Sequence, residues 1–204
     1  MVAVITGDIV NSQKVDFQLW GKALEEVVGK DYANAQHWEL YRGDEFQYLI
    51  PEPENAITIA LRLKARIKMI ADLDVRLSIG LGEIEQSYDK ISQASGSALV
   101  NSGRNFEQLK ENKSNLIIGC DFPEWNKDVN LLLEWLLLTA DQWSATSAEM
   151  VYLFLSHPDL TQESAARRLK VSQPSISQAL KRARYDLLLK TIVWLQNKIS
   201  QLRK

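Results

Sequence analysis

Residues His37 to Ile50, HWELYRGDEFQYLI, decide how this 204-residue chain folds. Two strand-like runs, His37 to Arg42 and Glu45 to Ile50, flank Gly43-Asp44. A Gly/Asp pair between apolar runs signals a hairpin, because both residues tolerate the positive φ that a tight turn needs. Pro51-Glu52-Pro53 closes the hairpin. Trp38, Phe46 and Tyr48 sit at alternating positions and read as core.

Working outward, Val2 to Ile9 is a short apolar run, the pattern of a buried central strand. Phe17 to about Ala33 reads as an amphipathic helix with Leu19, Ala23, Val27 and Val28 inward. Beyond the hairpin, Asn55 to Ala71 predicts a helix. Val75, Leu77, Ile79 and Leu81 then alternate with Arg76, Ser78 and Gly80, as in a half-buried strand. A helix near Lys90 to Glu111 and a last strand at Asn115 to Gly119 follow, and from Pro123 onward the chain reads as helix, with Leu131 to Trp143 and Ala148 to Leu155 the first two. The order β-α-β-β-α-β-α-β predicts an α/β (α+β) fold, a ferredoxin-like, palm-type sheet over residues 1–122 followed by an all-α domain over 123–204.

The second informative stretch is Leu160 to Arg184, LTQESAARRLKVSQPSISQALKRAR. Thr161 can cap a short helix burying Ala165, Ala166 and Leu169; Lys170-Val171-Ser172 makes a tight connection with Val171 turned inward. Ser172 can cap a second helix, with Pro174 in a first turn that needs no N–H from it. Ile176, Ala179, Leu180 and Ala183 form its inner face. Ser172, Gln173, Ser175, Ser177, Gln178, Lys181, Arg182 and Arg184 are left to contact phosphates or read base edges of double-stranded DNA, with no carboxylate among them. VSQPSIS preceded by AARRL resembles the DNA-reading helix pair of LysR-type regulators; the resemblance ends at Arg184. Charge agrees: residues 160–204 carry net +8 and residues 1–159 net −10, hidden within an overall −2. Tyr185, Leu188, Ile192, Leu195, Ile199 and Leu202 then follow an a/d spacing. That stripe either packs on the chain's own helices or pairs two copies into a homodimer.

The acidic part has its own constellation. Gly7-Asp8-Ile9-Val10-Asn11-Ser12 ends the first strand and Gly43-Asp44-Glu45-Phe46 forms the hairpin tip, so a ferredoxin-like sheet brings Asp8 and Asp44 to one edge. Carboxylates with a backbone carbonyl there suit Mg²⁺, which takes oxygen ligands and shares its site with substrate phosphates. GDIVNS resembles the metal-binding first strand of class III nucleotidyl cyclases, and YRGDEF resembles the hairpin of the GGDEF diguanylate cyclases. The resemblance implies Asp8, Ile9 (through its carbonyl), Asp44 and Glu45 as metal ligands; Asn11 and Ser12, in the segment whose backbone N–H groups follow Asp8, and the cations Arg42 and Arg104 are the candidate nucleotide contacts. Arg42 stands where that hairpin motif has its first glycine, and Arg104 follows Asn101 by three residues where class III cyclases place an Arg four after an Asn. Plain structural readings stand beside these: Gly43-Asp44 as the hairpin turn, Asp8 as a cap, Arg42 paired with Glu45, Arg104 as a helix-surface charge.

VITGDIVNS, YRGDEFQ, VRLSIGLGE, SALVNSGRNFEQLK and SAEMVYLFL together resemble the SatD family of bacterial proteins over essentially the whole chain. Hydrophobic content of 46% with 25% charged residues marks a globular chain. Cys120 is the only cysteine, and His37 and His157 are the only histidines, which argues against a disulfide, a cysteine-rich zinc site, a His-based metal site and a Ser-His-Asp triad. MVAVIT leads into Gly7-Asp8 with no basic segment, and Glu134 interrupts the most apolar helix, so the expectation is a cytoplasmic protein with no membrane partner. The function expected is a DNA-binding transcription regulator whose cyclase-like domain senses a nucleotide with Mg²⁺. The alternative is a metal-dependent nucleotidyl cyclase or related phosphoryl-transfer enzyme.

Overall fold

Ala3 to Ile9 are all buried, so the strand they form, β1 (Val2–Val10), is covered on both faces. It pairs antiparallel with β3 (Glu45–Ile50) and with β4 (Asp74–Gly82), while β2 (Trp38–Tyr41) extends the sheet beyond β3. A fifth strand, β5 (Leu116–Gly119), runs parallel to β4, giving one mixed sheet of order β2-β3-β1-β4-β5. The computed structural model describes residues 1–41, 43–85, 88–112 and 114–203. The helices are α1 (Phe17–Val28), α2 (Ala56–Lys68), α3 (Ser97–Asn112), α4 (Pro123–Ala140), α5 (Ala145–Ser156), α6 (Gln162–Leu169), α7 (Gln173–Arg182) and α8 (Tyr185–Gln201).

One face of the sheet is apolar. Ile5, Ile9, Phe46, Tyr48, Val75, Leu77 and Ile79 pack there with Trp20, Ala23 and Leu24 of α1 and Ile57, Leu61 and Ala65 of α2. The hairpin aromatics are core, with Trp38 stacked on Phe46 at 5.0 Å between ring centres. Leu19, expected inward, is 58% exposed because Trp20 and Leu24 take the inward positions of α1.

The other face has a smaller apolar cluster of Val4 and Leu49 with Ile91 and Ala98, and beside it small and polar residues on which α3 lies directly. A Cβ on Gly80 would stand 2.1 Å from the Ala98 carbonyl oxygen, so only glycine lets this helix approach. Ser78 Oγ donates to the Ser102 carbonyl at 2.7 Å and Thr6 Oγ1 donates to Ser102 Oγ at 3.0 Å. The alternation in β4 therefore does not mark a half-buried strand. Ser78 and Gly80 are as buried as Leu77 and Ile79, and the polar groups are paired beneath a helix. The helix expected from Lys90 starts only at Ser97, after Gly96 at φ 140°.

The free edge of β5 is closed by two side-chain amides of α4. Asn130 accepts from the Ile118 N–H at 2.9 Å and donates to its carbonyl at 2.7 Å; Asn126 does the same to Cys120, both at 2.8 Å. Four residues of helix rise about 6 Å and two of strand about 6.6 Å, so amides one turn apart match alternate strand residues.

The helical part shares one continuous core with the sheet, running from Ile57 and Leu61 through Val151 and Phe154 to Leu195 and Ile199. Lys64 of α2 is completely buried and ion-pairs with Asp74 of β4 at 2.8 Å and with Asp141, after α4, at 2.6 Å. Lys68 adds a bond to the Asp141 carbonyl at 2.9 Å. The heptad stripe is used inside the chain: Tyr185, Leu188, Ile192, Leu195 and Ile199 are buried against its own helices, so this stripe is not a dimer seam. No helix among the described residues is long and apolar enough to cross a membrane.

Candidate functional site

Short-range hydrogen bonds fix the α6–α7 pair. Thr161 Oγ1 accepts from the Ser164 N–H at 3.2 Å and begins α6. Lys170 ends it in the left-handed region, at φ 55°. The Lys170 N–H then reaches the Arg167 carbonyl and the Val171 N–H reaches that of Ala166, which satisfies the last turn. Ser172 Oγ accepts from the Ser175 N–H at 3.3 Å and begins α7. Val171 is 45% exposed rather than inward, because the left-handed residue before it swings the chain outward.

Ile176, Ala179, Leu180 and Ala183 bury the inner side of α7. On its outer side Gln173, Ser175, Gln178, Lys181 and Arg182 are exposed, as is Arg184 beyond it, and Ser177 is half-buried. These residues fall into two groups. Ser172 and Ser175 bond each other at 2.7 Å as part of the cap, and Gln173 donates to Gln162 Oε1 at 2.8 Å, tying the two helix starts together. Gln178, Lys181 and Arg182 have no intramolecular partner among the described residues. Arg184 stands in the α7–α8 turn at φ 55°, beside an Ala183 carbonyl that accepts from Trp143 Nε1 at 3.4 Å. Gln162 escaped sequence reading because its importance lies in a pairing across the turn.

The acidic residues also come together, but not as free ligands. Glu45, Asp8 and Arg76 stand in register on β3, β1 and β4. Both Asp8 oxygens are taken by the Arg76 guanidinium, Nε donating to Oδ1 at 2.8 Å and the terminal nitrogen donating to Oδ2. Glu45 pairs with Lys110 of α3 at 3.1 Å, and Ser12 Oγ donates to Asp44. Burial raises the Asp8 carboxyl above its ordinary value; the hydrogen bond and charge of Arg76 oppose this, the Asp44 charge adds to it and Lys110 opposes it. A cleft of about 550 Å³ opens here, lined in part by Ile9, Asn11, Ser12, Lys14, Asp44, Arg76 and Lys110.

As arranged, the residues do not fit a divalent cation, which would have to displace Arg76 from Asp8. Among the described residues no group of three or more His, Cys, Asp or Glu is placed to hold a metal ion. Of the nucleotide residues, Asn11 and Ser12 line the cleft, and Arg42 lies outside the described residues. Arg104 is not at the cleft. It donates to Asn101 Oδ1 at 2.9 Å, and Asn101 bonds the Leu81 carbonyl at the opposite end of β4 from Arg76. Arg76 and Lys110 are the residues that sequence reading missed, since only strand register and the seating of α3 bring them to Asp8 and Glu45. Compared with known families and curated proteins, the chain matches no family model and no curated protein.

Proposed function

We propose that the chain is a DNA-binding transcription regulator. In this reading α6 and α7 form a helix-turn-helix, α7 enters the major groove of duplex DNA, and the sheet domain, of ferredoxin-like palm type as in the SatD family, senses a small ligand. The observation that carries the reading is the outer side of α7: Gln178, Lys181 and Arg182 are exposed and unpartnered on a helix whose other side is locked into the core. Amide and cationic side chains on a rigid helix are what base edges and phosphates require. The strand order β2-β3-β1-β4 supports the ferredoxin-like assignment. The ligand site we assign is the cleft at Arg76, with a nucleotide as the ligand class. The enzyme alternative draws no support from the cleft, where Asp8 is held by a cation of its own chain.

Fluorescence anisotropy with labelled duplex DNA at increasing salt tests the reading. Log affinity should fall linearly with log salt; Lys181→Ala and Arg182→Ala should each lower the slope by about 1, and Gln178→Ala should blunt sequence preference. Unchanged binding in all three variants would sink it. Thermal shift with each nucleotide, with and without Mg²⁺, tests the cleft, and a shift that survives in Arg76→Met argues for binding elsewhere.

A further inference from the structure

The chain keeps a large apolar surface that neither the DNA-reading side of α7 nor the cleft uses. On α4, Leu131, Trp135 and Leu138 project outward at spacings of four and three; Trp135 is 65% and Leu138 67% exposed. On α8, Leu187 and Trp194 face them across grooves lined by both helices, and Leu187 is 64% exposed. Two of the chain's six tryptophans are thus on this one face. Scattered exposed leucines need no explanation, but a contiguous patch with two indoles does.

We infer that this α4–α8 face is where a second copy of the chain docks, in a two-fold arrangement. Area is the first argument. These five side chains expose on the order of 600 Å², most of the roughly 800 Å² that each partner gives to a standard interface. Apolar area on that scale, with aromatic side chains at its centre, is the composition of an interface core.

Charge at the two ends of the face is the second argument. The helices run antiparallel across it: Leu138 shares one groove with Arg184 and Leu187, while Asp128 and Leu131 share the other with Lys190 and Trp194. A two-fold interface presents the same patch twice, and with the axis running across the two helices each end of one copy meets the opposite end of the other. Arg184 of one copy then meets Asp128 of its neighbour. Lys190 stands beside Asp128, so this pairing sets register while the apolar area supplies the affinity. The inference holds whether or not α7 reads DNA.

Sedimentation of the full chain without DNA, from about 1 to about 100 µM, is the test. The wild type should move with increasing concentration to twice the 23.2 kDa monomer mass. Trp135→Glu and Leu187→Glu, at positions already in solvent, should keep the circular dichroism of the wild type and weaken the dimer at least ~30-fold. Asp128→Arg and Arg184→Asp should each weaken it, and the double variant should regain it. A wild type that stays monomeric throughout, or a Trp135→Glu variant that dimerises as well as the wild type, overturns the inference.

Discussion

Asp8 and Arg76 show how one register pair changes the meaning of a motif. In the sequence Asp8 is an acidic residue after a glycine at a strand end. In the sheet it sits directly opposite an arginine whose planar fork matches both of its oxygens. Its carboxyl is nevertheless raised, because burial outweighs the pairing. The linkage therefore has the opposite sign from an ordinary surface ion pair. Stability from this group is fully present below the unfolded value and is lost as pH rises through the raised folded value. Urea unfolding between about pH 4 and about pH 7 should show the wild type losing stability relative to Asp8→Asn, which does not titrate there. A constant difference across that range would refute the account. Arg76→Met should cost about 1–3 kcal/mol at neutral pH, the penalty for leaving a buried carboxylate without its donor.

At the scale of elements, local chemistry and packing divide the outcome. The start of α6 at Thr161 and that of α7 at Ser172 were legible because a cap depends only on a side-chain oxygen and the next N–H groups. The direction of Val171 was not, since it follows from the left-handed φ of Lys170, a residue with no sequence preference for that region. Likewise, the period-two pattern of β4 correctly marked a strand, but the cover on its small-residue face depends on where α3 comes to rest. The Asn126 and Asn130 pair on β5 was equally invisible. Two asparagines one turn apart look like surface residues until an open strand edge lies alongside. Asn130→Leu should leave the Ile118 N–H and carbonyl unpaired, costing about 2 kcal/mol in urea unfolding and raising light scattering on storage. A variant as stable and as dispersed as the wild type would show that water serves that edge as well as the amide does.

For the whole molecule, the sheet and the helices that follow it share one core, and Lys64 is a buried charged link between them. Its ammonium group, between Asp74 and Asp141, connects α2, β4 and the end of α4. Lys64→Met should leave Asp141 without its cation while Lys68 still serves Asp74, costing about 3 kcal/mol, the low end for a broken buried pair, because Asp141 is partly solvated. With a shared core, thermal unfolding of the wild type should be a single transition by both far-UV and tryptophan signals, and Lys64→Met should lower its midpoint without splitting it. Two separated transitions in the wild type would mean that the halves fold independently.

The heptad of α8 draws the line between sequence and structure. Its spacing determined that one stripe of that helix is buried, just as the periodicity of β1 and the caps of α6 and α7 determined their elements, because such signals are carried by neighbours within a few residues. What buries the stripe is decided by packing. Tyr185 to Ile199 cover the chain's own core, and the apolar face left open belongs jointly to α4 and α8, elements about 60 residues apart whose adjacency no periodicity encodes. The same holds for the acidic residues. Sequence placed Asp8, Asp44 and Glu45 near one edge of a sheet. Only the cross-strand register and the seating of α3 supplied the cations that hold Asp8 and Glu45.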